Sequence, residues 1–426
     1  MPELSRAPLS FGQMSLWRAV EDWTFERQRY AIGDFLWDLP DGCSVEAVER
    51  ALARLMERHE GLRTGYVPGG PQGVEQVTWA QPRLPVSTAE LGVSTHDLAT
   101  DSAAELAGTP FFLDREPAWR ARILTRHGRP VALALAVHHI VADGWALDIL
   151  RRDLMHLLAG REPTPAGPPP REVARRQRSA SWARRRASAM AYWRRALEEV
   201  HHLPPVVTDG ADPRVATYFA KLRASGVSEI AGVLADRLGV TPQTVMLGAL
   251  CRSIVDRTAE QTIPVMLLAG NRSEPGWRSV VSSFSQVVPL IVRIDRTEGF
   301  GVLVRRLQRE AMTAYWNGCF DVDERSRIAT EYGRTGVLSG FPVMFNYVSG
   351  STPAPSGPPG PAIGRIGQPA YTLEERRTPG LIYGYPMYFT AGNDGDFRLQ
   401  ETSSAADGSA TRAHLLAFRA AVLEQL

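Results

Sequence analysis

The run His138-His139-Ile140-Val141-Ala142-Asp143-Gly144 holds the side chains best suited to chemistry in this 426-residue chain. Imidazole titrates near neutrality, so a histidine facing a cleft can take a proton from an amine or hydroxyl nucleophile. The apolar stretch Val131–Val137 leads into the pair and reads as a strand buried on both faces. Consecutive strand residues point to opposite faces, so the two rings cannot both reach one substrate. One should face a cleft, with the other packed and hydrogen-bonded behind it. Asp143 falls where the chain changes direction, and Gly144 permits the backbone angles such a turn can need.

Other signals carry less. Adjacent strand histidines diverge, and no HExxH or CxxC supplies further ligands, so a metal site at His138, His139 and Asp143 is not expected. A second pair, His201-His202, precedes Leu203-Pro204-Pro205, lacks the Asp-Gly and reads as a loop feature. Gly299-Phe300-Gly301 follows a strand and opens a helix, but Val304 occupies the third glycine position of a dinucleotide fingerprint and is too bulky for its close packing. There is no GxSxG nucleophile elbow and no phosphate-binding GxxxxGK[ST].

These residues need a scaffold. Ser44–Leu62 has an amphipathic helix pattern in Val45, Val48, Leu52, Leu55 and Met56, with Ser44 as N-cap. Leu147, Leu150, Leu154 and Leu158 predict a helix after the histidine motif, ending at Gly160. Glu172–Leu197 is an arginine-rich helical stretch, and two helices, Val227–Leu238 and Thr241–Arg257, join at Gly239. Ile263–Ala269 and Val287–Ile294 read as buried strands. Tyr385–Gly392 and Phe397–Thr402 form a hairpin around Asn393-Asp394-Gly395-Asp396, and Thr411–Leu426 closes the chain as a helix. Strands alternating with helices in both halves make this an α/β chain.

Length favours two domains, and the proline-rich segment Arg161–Arg171 is the expected exposed connector, giving domains of 1–170 and 171–426. A net charge of +2 argues against nucleic-acid binding. Lys221 is the only lysine, an arginine bias that points to a high-GC genome. Cys43, Cys251 and Cys319 lack metal-type spacing, which fits a reducing compartment. No signal peptide or membrane-length apolar run is evident, so a cytoplasmic protein is expected. The arginines of Arg171–Arg195 either dock an acidic partner or lie with their stems over apolar surface.

At this point the chain resembles the condensation domains of nonribosomal peptide synthetases, in the chloramphenicol-acetyltransferase-like superfamily. HHIVADGW matches the family motif HHxxxDG in full. Pro8–Arg18 (PLSFGQMSLWR) resembles the opening motif and Arg58–Thr64 (RHEGLRT) the second. Asn271-Arg272 with Ser282–Leu290 (SSFSQVVPL) resembles the fifth, and Phe341–Tyr347 (FPVMFNY) the last. Ser282 and Gln286 stand where glycine and asparagine are usual, which leaves the substrates undetermined.

The resemblance implies two chloramphenicol-acetyltransferase-like subdomains in a V-shaped pseudo-dimer, with the active site at their junction and a segment of the second crossing over to the first. His139 would be catalytic, as general base or by holding the tetrahedral intermediate. His138, Asp143, Gly144 and Arg63 would support it, Asp143 through an ion pair with Arg63. Trp145, Ser283 and Gln286 would line the substrate channel. No metal or bound cofactor is implied. The donor would arrive on the phosphopantetheine of an acyl or peptidyl carrier protein, and the acceptor would be an amine or alcohol. Taken as it stands, the chain is expected to be a freestanding condensation enzyme of a bacterial natural-product pathway, with no nucleic-acid or membrane partner.

Three rivals stand beside this reading: an acyl-CoA-dependent O-acyltransferase of the same superfamily, an epimerisation domain, which shares HHxxxDG, and a non-catalytic relative that recruits a tailoring enzyme to a carrier protein, against which the intact His-His and Asp-Gly argue. Turnover with acyl-CoA alone would mark the first, and carrier binding without turnover the last.

Overall fold

A computed structural model describes residues 2–91, 96–203, 216–258, 260–334, 340–348, 370–379, 385–403 and 408–425. The chain divides into two compact units. The first comprises Met1–Ala187, Gly270–Gln286 and Cys319–Val322, and the second Ser188–Ala269, Val287–Gly318 and Asp323–Leu426.

In the first unit the elements run β1 (Glu3–Pro8), α1 (Phe11–Val20), β2 (Ile32–Asp38), α2 (Val45–Arg58), β3 (Thr64–Pro68), β4 (Val74–Trp79), β5 (Val86–Glu90), α3 (His96–Ala107), β6 (Trp119–Arg126), β7 (Arg129–His138), α4 (Gly144–Leu158) and α5 (Pro170–Arg178). The strands form a sheet in the order β2-β7-β6-β5 and a smaller one in the order β1-β4-β3. Strand β7 is the apolar run expected from the sequence. Ala132–Val137 are all buried because β2 and β6 flank the strand antiparallel and α3 covers one face. Ser44 caps α2, its hydroxyl accepting from the Ala47 amide at 3.2 Å.

The boundary expected at residue 170 is corrected: the proline-rich segment belongs within the first unit. Pro163 and Pro170 are buried, and the Gly167 amide donates to the Ser279 carbonyl at 3.0 Å. Pro170 opens α5 at a position whose N–H would have no helical partner. Prolines bring rigid backbone and few donors to satisfy, so such a segment can pack as readily as it can hang free. The predicted helix Glu172–Leu197 is likewise two helices, α5 and α6 (Ala183–Val200), with a short 3-10 turn at Ala180–Trp182 between them. The two stretches 270–286 and 319–322 return to this unit, where Trp277, Val280, Phe284 and Cys319 pack with Phe11, Val173 and Trp182.

The second unit continues with β8 (Ala216–Arg223), α7 (Ser225–Leu238), α8 (Pro242–Arg257), β9 (Thr262–Ala269), β10 (Gln286–Arg293), α9 (Phe300–Trp316), α10 (Val322–Glu331), β11 (Val343–Val348), β12 (Thr372–Pro379), β13 (Met387–Gly392), β14 (Asp396–Ser403) and α11 (Ser409–Leu423). Its seven strands lie in the order β10-β9-β11-β13-β14-β8-β12. The expected hairpin is present, with β13 and β14 antiparallel and Ala391 opposite Phe397. Helices α8, α9 and α11 bury one continuous apolar core against this sheet. Among the described residues no single helix is long and apolar enough to cross a membrane.

Candidate active site

The end of β7 separates the two histidines as strand geometry requires. The His138 amide donates to the Ala118 carbonyl at 2.9 Å and the His139 amide to the Ala31 carbonyl at 2.8 Å. His138 is buried, and its Nδ1 accepts the Ile140 amide at 3.1 Å, so its ring braces the turn that follows. Burial among apolar groups pushes its pKa down to about 3. His139 remains partly exposed. Burial of its ring lowers its pKa too, opposed by a hydrogen bond to the Ala142 backbone and by the Asp143 carboxylate. In the neutral ring one nitrogen carries a lone pair that can accept a proton.

Asp143 has a different environment. It caps α4 by accepting the Ala146 amide at 2.9 Å. The same oxygen accepts from Arg272 at 2.6 Å, while the second accepts the Phe284 amide at 2.9 Å and the Ser285 hydroxyl at 3.4 Å. With four donors and 6% exposure, this carboxylate has little capacity left for substrate.

Its ion-pair partner is therefore Arg272, and the expected pairing with Arg63 is wrong. Arg63 ends a short 3-10 turn before β3 and donates instead to the Trp79 carbonyl at 3.1 Å. Arg272 arrives on the segment 270–286, 129 residues further along, with its guanidinium 4.4 Å from the Phe284 ring centre. The motif Asn271-Arg272 was visible in the sequence, but nothing local tied it to Asp143.

The same segment explains glycines in two other motifs. A Cβ on Gly12 in α1 would lie 2.5 Å from the Ser283 carbonyl oxygen, and one on Gly61 would lie 2.6 Å from that of Val281. Alanine in a helix normally stabilises relative to glycine by about 0.5–1 kcal/mol. Here Gly12→Ala should destabilise, by roughly 1–3 kcal/mol from overpacking against backbone that cannot swing aside. Thermal denaturation gives the sign directly.

Other first-motif residues brace the histidine turn. Ser10 and Gln13 form a capping box, the Gln13 amide donates to the Tyr66 hydroxyl at 3.2 Å, and Tyr66 donates to the Ile140 carbonyl at 3.2 Å. His59 of RHEGLRT is buried against Asp153 of α4 at 3.0 Å, and Arg58 and Arg152 bind the same carboxylate at 3.0 Å. This network ties α2 to the helix that Asp143 caps.

The remaining expected site residues divide. Gln286 is buried, donating to Ser15 at 2.7 Å and to the Phe320 carbonyl at 2.9 Å while accepting the Phe320 amide at 3.3 Å. Ser283 is 4% exposed with its carbonyl against Gly12. Both sit at contacts between chain segments distant in sequence. Trp145 is 50% exposed, its indole N–H donating to the Arg278 carbonyl at 2.9 Å. Gly144 needs no unusual backbone angle, because it is the first residue of α4 and its φ is not positive; a Cβ there would meet nothing within 4 Å. Of the arginine cluster, Arg185 is engaged with Ser273 and Glu274, and Arg186 with the Gln177 and Ser179 carbonyls, while Arg184 is exposed. Among the described residues no group of three or more His, Cys, Asp or Glu side chains could hold a metal ion. Cys251 and Cys319 are buried, and burial raises both thiols to about 12.

Solved structures place this architecture in a class. The condensation domain from the monacolin K polyketide synthase MokA superposes with a TM-score of 0.77 at 16% identity, covering 99% of this chain and 97% of that one. The SgcC5 protein of Streptomyces globisporus gives 0.73 at 20% identity and 97% coverage of both. The epimerization domain TycB3(E) of tyrocidine synthetase B gives 0.68 at 14% identity over 100% of this chain and 98% of that one. At these identities the likeness establishes the mixed α/β condensation-domain fold.

Sequence relationships establish the family. Residues 6–346 match the family model for the condensation domain. Phosphinothricin tripeptide synthetase PhsC of Streptomyces viridochromogenes is 29% identical over 325 residues, which is 72% of this chain and 29% of PhsC. The beauvericin nonribosomal cyclodepsipeptide synthetase of Beauveria bassiana is 29% identical over 294 residues, 64% of this chain and 9% of the synthetase. The chain thus spans less than a third of the length of these relatives. It belongs to the condensation-domain family, whose members join building blocks in natural-product biosynthesis and receive them on carrier proteins.

Proposed function

We propose that this protein is a cytoplasmic condensation enzyme. It would transfer an acyl or aminoacyl group from the phosphopantetheine thioester of a carrier protein to an amine or alcohol acceptor. The observation that carries this reading is the division of labour at the motif. His138 and Asp143 are consumed by the fold, while His139 stays partly exposed. In the reaction the acceptor nitrogen or oxygen attacks the thioester carbonyl. The lone-pair nitrogen of His139 takes the proton as the new C–N or C–O bond forms. The tetrahedral intermediate then expels the thiolate, the C–S bond breaks, and the proton passes to sulfur. The exposed start of α4 at Gly144 offers amide N–H groups for the developing oxyanion.

The test is mass spectrometry of products formed from carrier proteins loaded with defined acyl groups and presented with amine and alcohol acceptors. Formation of the amide or ester supports the reading. Turnover with acyl-CoA alone, or carrier binding without turnover, overturns it. The pH dependence adds a second check. Burial holds the His139 pKa below the ordinary 6.5, so the base is already neutral at pH 7. kcat/KM should be flat above neutrality and fall as pH drops through a midpoint below 6.5.

A further inference from the structure

We propose that Phe35 is a positioning residue for His139, an aromatic wall laid across Gly33 that holds the imidazole in place and keeps water from its β2 side. The proposal rests on the reading of His139 as the reacting imidazole. Strands β2 and β7 pair antiparallel, with Gly33 opposite Val137 and Phe35 opposite Leu135. Directly opposed residues of such a pair share a face, and His139 continues the alternation of Leu135 and Val137. Gly33 and Phe35 therefore stand on the side to which His139 belongs.

Both rings border one point, the place a side chain at residue 33 would take. A Cβ at Gly33 would lie 2.6 Å from Phe35 Cζ, 2.7 Å from Phe35 Cε2 and 3.6 Å from His139 Cε1. The phenyl ring thus occupies the space that any other residue at 33 would fill, and the imidazole edge borders the same point. Phe35 is itself only partly buried. An aromatic ring left partly open beside a partly open imidazole is not explained by core packing, because the core of this unit does not close over it. Its physical effect is to remove water from one edge of the imidazole, which disfavours the charged form. The charged and titratable groups acting on His139 are Asp143, whose carboxylate favours the charged ring, and its neighbour His138. From β2 the face carries Gly33, Phe35 and the buried Trp37, with the intervening Asp34 exposed on the alternate side. No ionic group on that strand opposes the aromatic wall.

The experiment uses the full chain labelled with 13C at histidine Cε1 and titrated by NMR, with His139→Ala identifying the His139 resonance by its disappearance. Phe35→Ala is expected to displace that resonance, through loss of the ring current. It should also raise the titration midpoint by roughly half a pH unit or more as water reaches the ring. Phe35→Leu removes both the aromatic current and the Cε2 and Cζ atoms that lie over Gly33, so it should move the resonance and raise the midpoint part of the way toward that of Phe35→Ala. Gly33→Ala displaces the phenyl ring and should also move the resonance. An unchanged resonance and midpoint in Phe35→Ala would overturn the proposal. If that variant fails to fold, an unchanged His139 resonance in both Phe35→Leu and Gly33→Ala overturns it equally. None of these readouts depends on turnover. Normal turnover by His139→Ala would remove the catalytic reading and leave the contact standing, whereas silent spectra would do the reverse.

Discussion

Replacing His139 with alanine should reduce the turnover of carrier-bound donor by about 10²–10⁴-fold, the usual contribution of a positioned general base. That range corresponds to roughly 3–5 kcal/mol of transition-state stabilisation. The melting temperature should stay near that of the parent, because the ring is partly exposed. The companion substitution His138→Ala separates chemistry from support. It removes a buried ring that accepts the Ile140 amide, so it should damage stability as well as rate. Steady-state kinetics paired with thermal denaturation decides the matter. Near-normal turnover by folded His139→Ala would show that proton transfer at this ring does not limit the reaction.

The second large effect is the reverse in kind. Asp143→Ala should cost about 3–5 kcal/mol of stability, the usual penalty for stranding one member of a buried ion pair. Each kcal/mol displaces the melting temperature by roughly 2–4 °C in a unit of this size. Arg272 would be left 7% exposed with its anion gone, beside the Ser282 carbonyl at 3.2 Å and the Phe284 ring. Arg272→Met should be milder, since Asp143 would keep the Ala146 and Phe284 amides and the Ser285 hydroxyl. In the double variant the losses should not add, because the same contact is removed once. Were Asp143 a catalytic acid instead, Asp143→Ala would lose kcat at an unchanged melting temperature.

Both expectations come from one physical arrangement. The stretch Gly270–Gln286 is fastened to the first unit by Arg272 and Phe284 on Asp143, and by Gln286 on Ser15 and Phe320. It also packs hard against Gly12 and Gly61. Residues of four sequence motifs thus meet at one packing problem. Their chemistry is largely structural: a saturated carboxylate, a buried guanidinium, a spent amide and two missing methyl groups. His139 stands at the end of that braced turn, and stiffness there is what a site relying on orientation requires.

Local pattern determined a good part of this protein. The apolar run of β7, the cap of α2, the β13–β14 hairpin and the divergence of His138 and His139 follow from periodicity and capping within a few residues. Those forces act over one or two turns and leave their mark in neighbouring letters. The HHxxxDG motif and its ordered companions were enough to indicate the family. The tertiary structure alone decided which partner Asp143 takes, because Arg63 and Arg272 offer the same guanidinium and only the path of the chain distinguishes them. It also decided that the proline-rich segment packs, that Gln286 is committed to protein, and that Phe35 lies over Gly33 beside the imidazole. Each is a contact between residues distant in sequence or a choice of rotamer, set by close packing that no spacing rule encodes.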